Sequence, residues 1–280
     1  MDLSKIKLVV SDMDGTLLNS KGKVSDRFFD LYKKLKRFEI HFVAASGRQY
    51  HSISEKLSKI QNEIFIIAEN GGVTKQSDRE LDVAKMDSEN ISHIIQLLRT
   101  IEKTNIILCG KEYAYIETED KSFVDMFQEY YPRFTIVKDL TKVTYDDLFK
   151  IAVYHNISSE EYIYPNINHL ENELQIKVSS KNWVDISHPD ANKGNALQII
   201  QNKLGITKEE TMVFGDYNND LEMLSLADYS FAMENAHPNI KNAASYQTKS
   251  NEEEGVEIIL EKLLTAKSNK EKHLKTISKE

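Results

Sequence analysis

IKLVVSDMDGTLL, residues 6–18, decides the fold. Its first half, Ile6 to Val10, is a short apolar run rich in β-branched residues, and it stops at the turn-forming Asp12-Met13-Asp14-Gly15-Thr16. That reads as a buried strand running into a tight turn. The chain then alternates. Residues 24–38 carry helical spacing through Phe28, Leu31 and Leu35, and IHFVAA (40–45) is a second strand, ending at Ser46-Gly47-Arg48. Residues 53–60 have helical spacing again, and IFIIA (64–68) is a third strand, ending at Glu69-Asn70-Gly71-Gly72. Strands separated by single helices imply right-handed crossovers and a parallel sheet covered on both faces, an α/β doubly wound, Rossmann-like core.

Near residue 80 the pattern changes. Asp87 and Ser88 can cap a helix whose Ile91, Ile94, Ile95, Leu98 and Ile101 share one face. NIILC and EYAYIE then flank Gly110-Lys111 as a hairpin. A helix near 120–130, a strand near 133–137, LFKIAVYH (148–155), a helix near 158–172 and the strands LQIKV and WVDIS complete an α+β block. After Asn192 the α/β pattern returns. A helix over 196–204 stops at Gly205, a strand over 211–214 ends at Gly215-Asp216, and residues 218–226 are helical. YSFAM and helices near 238–244 and 253–264 follow. The expected organisation is one core, residues 1–82 with 189–264, interrupted by an inserted α+β domain over 83–188 and followed by a polar, Lys-rich tail over 265–280.

With 280 residues the chain is long for one domain, and 36 basic against 44 acidic side chains give a net charge of −8. That balance argues against nucleic acid or an anionic membrane as partner. No run approaches the ~20 apolar residues of a membrane span, and the N-terminus enters a strand instead of a signal-peptide pattern. A single cysteine, Cys109, excludes an intramolecular disulfide and a multi-cysteine zinc site and suits a reducing compartment, so a cytoplasmic location is expected. The eight histidines show no HExxH or HxH spacing.

The chemistry is expected at the carboxyl ends of the parallel strands, where residues distant in sequence meet along one crevice. Asp12 and Asp14 follow a buried strand directly, and carboxylates there need a cation or donors to compensate them. Mg²⁺ takes oxygen ligands and needs only one or two carboxylates plus a substrate phosphate. Asp216, with Asn219 and Asp220, repeats the arrangement after a second apolar strand. Ser46 and Gly47 offer a hydroxyl and backbone N–H groups at a helix start, which suits an anion. Lys193 supplies a compact positive charge. Carboxylates for a metal, an anion cradle and a lysine form the inventory for phosphoryl transfer, with an aspartate available as nucleophile.

The ordered set DMDGTLL (12–18), ASGR (45–48), Lys193-Gly194 and GDYNND (215–220) resembles the four motifs of the haloacid-dehalogenase-like hydrolases. The insertion between the second and third, with AENGG (68–72) and NKG (192–194), resembles the Cof-type branch with its C2-type α+β cap. The resemblance spans residues 6 to about 262. It implies that Asp12 is the nucleophile and that the Asp12 side chain, the Asp14 backbone carbonyl and Asp216 hold Mg²⁺. It implies that Asp14 is the general acid and base, and that the Met13 backbone, Ser46, Gly47, Lys193 and Asn219 hold the phosphoryl group. Asp220, Arg48 and Asn70 would support these from behind. Asp14 separates phosphatases from the dehalogenases that name the family, which lack a carboxylate there. Ser46 stands where many members have Thr, and Tyr217 where a small residue is commoner. The expected activity is Mg²⁺-dependent hydrolysis of a small phosphorylated metabolite, a sugar phosphate or a phosphorylated cofactor, by a monomer or weak homodimer. The rivals are a phosphosugar mutase on the same core and a catalytically silent metabolite-binding regulator.

Overall fold

The computed structural model describes residues 2–277, which form two compact units, 2–45 with 197–277 and 46–196. The first unit holds five parallel strands, in the spatial order Tyr246–Gln247, Tyr229–Ala232, Thr211–Gly215, Leu8–Asp12, His41–Ala45. Leu8–Asp12 and Thr211–Gly215 are buried along their whole length, as strands covered on both faces must be. The helix Asp26–Arg37 begins where the Ser25 hydroxyl accepts the Phe28 N–H, and buries Phe28, Phe29, Leu31, Tyr32 and Leu35. It is fastened to the helix Gly255–Ile277 by Arg27, which pairs with Glu261 and with Glu254 just before the helix, and by the Ser25 hydroxyl, which donates to Glu257. That last helix was expected to end near residue 264. No glycine or proline interrupts residues 265–277, so the Lys-rich segment continues it to Ile277, and residues 278–280 of the expected tail lie outside the described residues.

In the second unit Phe65–Ala68, Val73–Gln76 and Arg79–Val83 form an antiparallel ribbon. A six-stranded sheet follows, ordered Gln175–Ser180, Trp183–Ser187, Leu148–His155, Thr104–Gly110, Ala114–Ile116, Phe134–Ile136, antiparallel except for its last pair. The period of two along these strands sends side chains to opposite faces, and both faces are covered. Leu108, Ile151, Val153, Val184 and Ile186 pack with Ile91, Ile94, Ile95 and Leu98 of the helix Ser88–Leu98. Ile107, Cys109, Ala114, Ile116 and Ala152 pack with Phe123, Phe127 and Tyr131. Each fully buried side chain of this size contributes roughly 1.5–3 kcal/mol relative to exposure.

Two local departures from the sequence reading have plain causes. The single helix expected over 158–172 is three short pieces, Ser159–Tyr162, Tyr164–Ile167 and the 3₁₀ turn Asn168–Asn172, because Pro165 lacks an N–H and cannot continue a helix through its own position. The hairpin over 73–83 was not expected, since VTKQSDRELDV carries little apolar alternation and its second strand is mostly half-buried or exposed. Among the described residues no helix is long and apolar enough to cross a membrane.

Candidate active site

Leu8–Asp12 has the next strand of the chain, His41–Ala45, on one side and the much later Thr211–Gly215 on the other. The direction of winding therefore reverses there, and the carboxyl ends of those two diverging connections open a crevice. One step beyond the Ser11 and Phe214 pair the strands finish at Asp12 and Gly215. Carboxylate oxygens of Asp12, Asp216 and Asp220 lie within 4.8 Å of one another. At that spacing, and at an effective dielectric of about 20, each ionised pair repels by roughly 3 kcal/mol. An all-oxygen donor set this close suits a hard divalent cation such as Mg²⁺, with no soft ligand to favour zinc or copper.

The turns around the trio fix it. Gly15 has φ +76°, and a Cβ placed on it would lie 2.2 Å from Asp216 Oδ2, so a glycine here lets the first turn pass the second carboxylate without displacing it. The Met13 carbonyl accepts the N–H groups of Leu17 and Leu18 at 3.0 and 2.8 Å, closing the turn on which Asp14 sits half-buried. Asp220 is fully buried, and its Oδ2 accepts the N–H groups of Asp216 (2.9 Å) and Tyr217 (3.3 Å). Asn219, beside it in the 3₁₀ turn Asn218–Asp220, is also buried. Three residues join these loops without having been assigned a role from sequence. Thr16 Oγ1 donates to Asp216 Oδ1 at 3.5 Å, Asn235 Nδ2 to the Gly15 carbonyl at 2.8 Å, and the His237 N–H to the Asp216 carbonyl at 2.8 Å. The Tyr217 ring lies 5.3 Å from that of His237.

The second unit opens on Ser46-Gly47-Arg48, directly after Ala45, the register partner of Asp12. All three carbonyls of this loop accept a hydrogen bond. The Asn70 N–H donates to Ser46 O at 3.0 Å, Lys150 Nζ to Gly47 O at 2.6 Å, and the Glu69 N–H to Arg48 O at 3.1 Å. A trans peptide sets C=O and N–H antiparallel, so fixing Ser46 O toward Asn70 turns the Gly47 N–H to the opposite side. The Ser46 hydroxyl accepts the Arg48 N–H at 3.1 Å. Arg48 is buried, donates to the Glu129 carbonyl (2.8 Å) and Ser52 hydroxyl (3.2 Å), and lies 4.3 Å above the Tyr130 ring.

Glu69, Asn70 and Gly71 have successive φ values of +51°, +55° and +99°. Left-handed backbone costs a non-glycine residue roughly 1–2 kcal/mol, so this loop persists because its surroundings over-determine it. Lys150 Nζ lies 2.8 Å from Glu69 and 3.3 Å from Asp185, and Asn70 Nδ2 donates to Asp185. Burial alone would lower the Lys150 ammonium, but the Asp185 and Glu69 carboxylates overcome it and hold the pKa above its ordinary value. Burial pushes the Glu69 carboxyl up against the pull of Lys150. Lys193 is fully buried at the first position of Lys193–Leu204, preceded by Asn192, whose side chain accepts the Asn195 N–H at 2.8 Å.

The structure thus gathers Asp12, Asp216 and Asp220, with Asp14 and Asn219 on their turns, in one unit. It gathers Ser46, Gly47, Arg48 and Asn70 in the other, with Lys193 at its helix start. Glu69, Lys150 and Asp185 carried no signal by which the sequence reading selected them.

A family model described as haloacid dehalogenase-like hydrolase matches residues 9–260. The 5-amino-6-(5-phospho-D-ribitylamino)uracil phosphatase YbjI of Escherichia coli K12 is 33% identical over 264 residues, covering 92% of this chain and 96% of that protein. The enzyme of the same activity name from Bacillus subtilis, YcsE, is 28% identical over 251 residues, 90% of this chain and 93% of its own. Among solved structures, SMU.1108c from Streptococcus mutans UA159 superposes with a TM-score of 0.87 at 31% identity, covering 93% of this chain and 99% of that one. With the acidic trio at a winding reversal and a match running from the first strand into the last helix, the chain belongs to the haloacid dehalogenase-like hydrolases, in their Cof-type phosphatase branch.

Proposed function

We propose that this phosphatase hydrolyses a small phosphorylated metabolite with Mg²⁺ and an aspartyl-phosphate intermediate, and that its substrate class is a phosphorylated ribityl compound or a related sugar phosphate. The observation that carries the reading is the trio Asp12, Asp216 and Asp220 within 4.8 Å at the ends of two neighbouring parallel strands. Two relatives named as phosphatases of a phosphoribitylamino-uracil support the substrate class.

Asp12, the Asp14 carbonyl and Asp216 would hold Mg²⁺, which when bound supplies charge neutralisation for the phosphate dianion. An Asp12 oxygen attacks phosphorus, the bond from phosphorus to the ester oxygen breaks, and the Asp14 carboxyl gives its proton to the departing oxygen. Water then gives a proton to Asp14 and attacks the phosphorus of the acyl phosphate, releasing inorganic phosphate and the Asp12 carboxylate. The Met13 backbone, Ser46, the Gly47 N–H, Lys193 and Asn219 hold the phosphoryl oxygens through both steps. Asp220 keeps Asp216 in place. Residues 1–82 with 189–264 serve as the catalytic core and residues 83–188 as the cap that selects substrate.

The test is Asp12→Asn assayed on p-nitrophenyl phosphate and on 5-amino-6-(5-phospho-D-ribitylamino)uracil. Turnover is expected to fall by at least ~10³-fold on both, and full turnover by the variant refutes the nucleophile. With a hexose 1-phosphate, free phosphate supports the hydrolase and an isomeric sugar phosphate the mutase.

A further inference from the structure

Lys150 belongs to none of the four motifs and lies 103 residues from the loop it touches, yet it is 1% exposed and donates to the carbonyl of Gly47. A lysine is seldom buried so deeply unless paired. Here the pairing is specific: two carboxylates from different elements, Glu69 on the left-handed loop and Asp185 on the strand Trp183–Ser187, meet one ammonium. Asp185 also accepts from Asn70, whose N–H holds the neighbouring carbonyl of Ser46. The ring of Tyr131 lies 5.7 Å from Nζ, closing the cluster on the apolar side. Two consecutive non-glycine residues, Glu69 and Asn70, lie in the left-handed region, and such strain collects where a neighbouring group must be aimed.

We infer that Lys150, clamped by Glu69 and Asp185, is a positioning residue that sets the direction of the Gly47–Arg48 peptide, whose N–H donates to the Ser46 hydroxyl oxygen, and so aims the Ser46 hydroxyl at the phosphoryl group. The inference rests on the proposed phosphatase reading for the role of Ser46 and Gly47. Lys150 itself touches no substrate. Its charge is consumed by the two carboxylates, and its work is to hold a carbonyl. Releasing Gly47 O frees the loop to rotate, and a misplacement of about 1 Å at a positioned donor costs on the order of 10²-fold in rate.

The experiment compares wild type with Lys150→Met and with the double variant Lys150→Met/Glu69→Gln, which keeps the net charge of the cluster unchanged should the single variant fail to fold. Thermal melts establish the folded fraction, and kinetics are run well below the midpoint. The readouts are kcat and KM for p-nitrophenyl phosphate and the inhibition constant of inorganic phosphate. The expected result is a fall of about 100-fold in kcat/KM, with the phosphate inhibition constant rising about tenfold, in a variant that melts as a folded protein. A folded variant with a lowered melting temperature but wild-type kcat/KM and phosphate inhibition overturns the positioning role and leaves Lys150 a purely structural ion-pair partner. Asp12→Asn and Ser46→Ala are measured alongside. If Asp12→Asn keeps full activity, the phosphatase reading itself has failed. If both are impaired and the Lys150 variants are not, only the positioning role has failed.

Discussion

Replacing Gly15 with alanine separates two effects that a single stability measurement would confound. The first is backbone strain at φ +76°, worth roughly 1–2 kcal/mol for a residue with a Cβ. The second is steric. The new Cβ would sit 2.2 Å from Asp216 Oδ2, and since a carbon and an oxygen do not approach within about 3 Å, the carboxylate must retreat by about 0.8 Å. Gly205 provides the control, because it has φ +64° and nothing within 4 Å of a built Cβ. Gly205→Ala therefore carries the strain alone. At roughly 2–4 °C per kcal/mol for chains of this size, both variants should lose a few degrees of Tm. Only Gly15→Ala should alter the proposed Mg²⁺ site. Mg²⁺ demands near-ideal ligand distances, and a disturbed ligand or its support costs on the order of 10–100-fold in metal affinity. Phosphatase activity is titrated against free Mg²⁺ for wild type and both variants. The expected half-saturating concentration rises at least tenfold for Gly15→Ala and stays within twofold for Gly205→Ala. A Gly15→Ala enzyme with wild-type Mg²⁺ dependence would refute either the closeness of Asp216 or its part in holding the metal.

Asp220→Ala removes the acceptor for the Asp216 and Tyr217 N–H groups in a fully buried turn and is expected to cost about 2–4 kcal/mol in urea unfolding, most of it recovered by Asp220→Asn. A loss under about 0.5 kcal/mol contradicts that account. Asp139 is drawn down from 3.8 to about 2 by Arg99 and by the Thr141 hydroxyl and N–H. Its contribution to stability is therefore present above its unfolded value and lost as pH falls from about 4 toward 2. Carbon-detected NMR titration should place this carboxyl near 2 in wild type and higher in Arg99→Met, and equal values in the two proteins would dismiss the pairing. Cys109 is 1% exposed, and burial, with Glu69 nearby, pushes its thiol far up. Iodoacetamide at pH 8 should leave the native protein unlabelled and modify it fully in urea, so stoichiometric native labelling would show the thiol to be open.

The parallel strands were legible because each is a short apolar run ending in a turn whose residues cannot continue it, as IKLVV ends at Asp12 and TMVF at Gly215-Asp216. Their order was not fully legible. That Thr211–Gly215 lies beside Leu8–Asp12, 203 residues earlier in register, depends on crossovers that no local signal specifies. The acidic residues could be singled out from their position after a strand, whereas the helpers Thr16, Asn235 and His237 act partly through backbone atoms and ordinary polar side chains that any turn can contain. Pro165 marks the break in the 158–172 segment, which the sequence reading took as a single helix.

Two lysines are buried among the described residues, Lys150 and Lys193, and only one of them was singled out from sequence. Lys193 precedes a glycine at a helix start, in a motif. Lys150 lies in the middle of LFKIAVYH, where a lone lysine in an apolar strand reads as the solvent-facing member of an alternating pattern. The structure removes that explanation, because Ile151 and Val153 pack on one face of the sheet and Ala152 packs on the other, both against buried side chains. With no solvent face, an ammonium on this strand must meet carboxylates or carbonyls inside the protein, and it meets Glu69, Asp185 and the Gly47 oxygen. A charged residue in a strand that has no polar side is thus a signal in its own right. It needs a second sheet face to be recognised as apolar, and that information is spread over Ile107, Cys109, Ala114 and Ile116, more than thirty residues away. The same reasoning explains why the net charge of −8 says little about phosphate binding. The cation that holds the Gly47 carbonyl is already bound by two anions, so in the proposed mechanism the phosphoryl charge falls to Mg²⁺ and Lys193, and the loop itself offers neutral N–H and hydroxyl groups whose value lies in their direction.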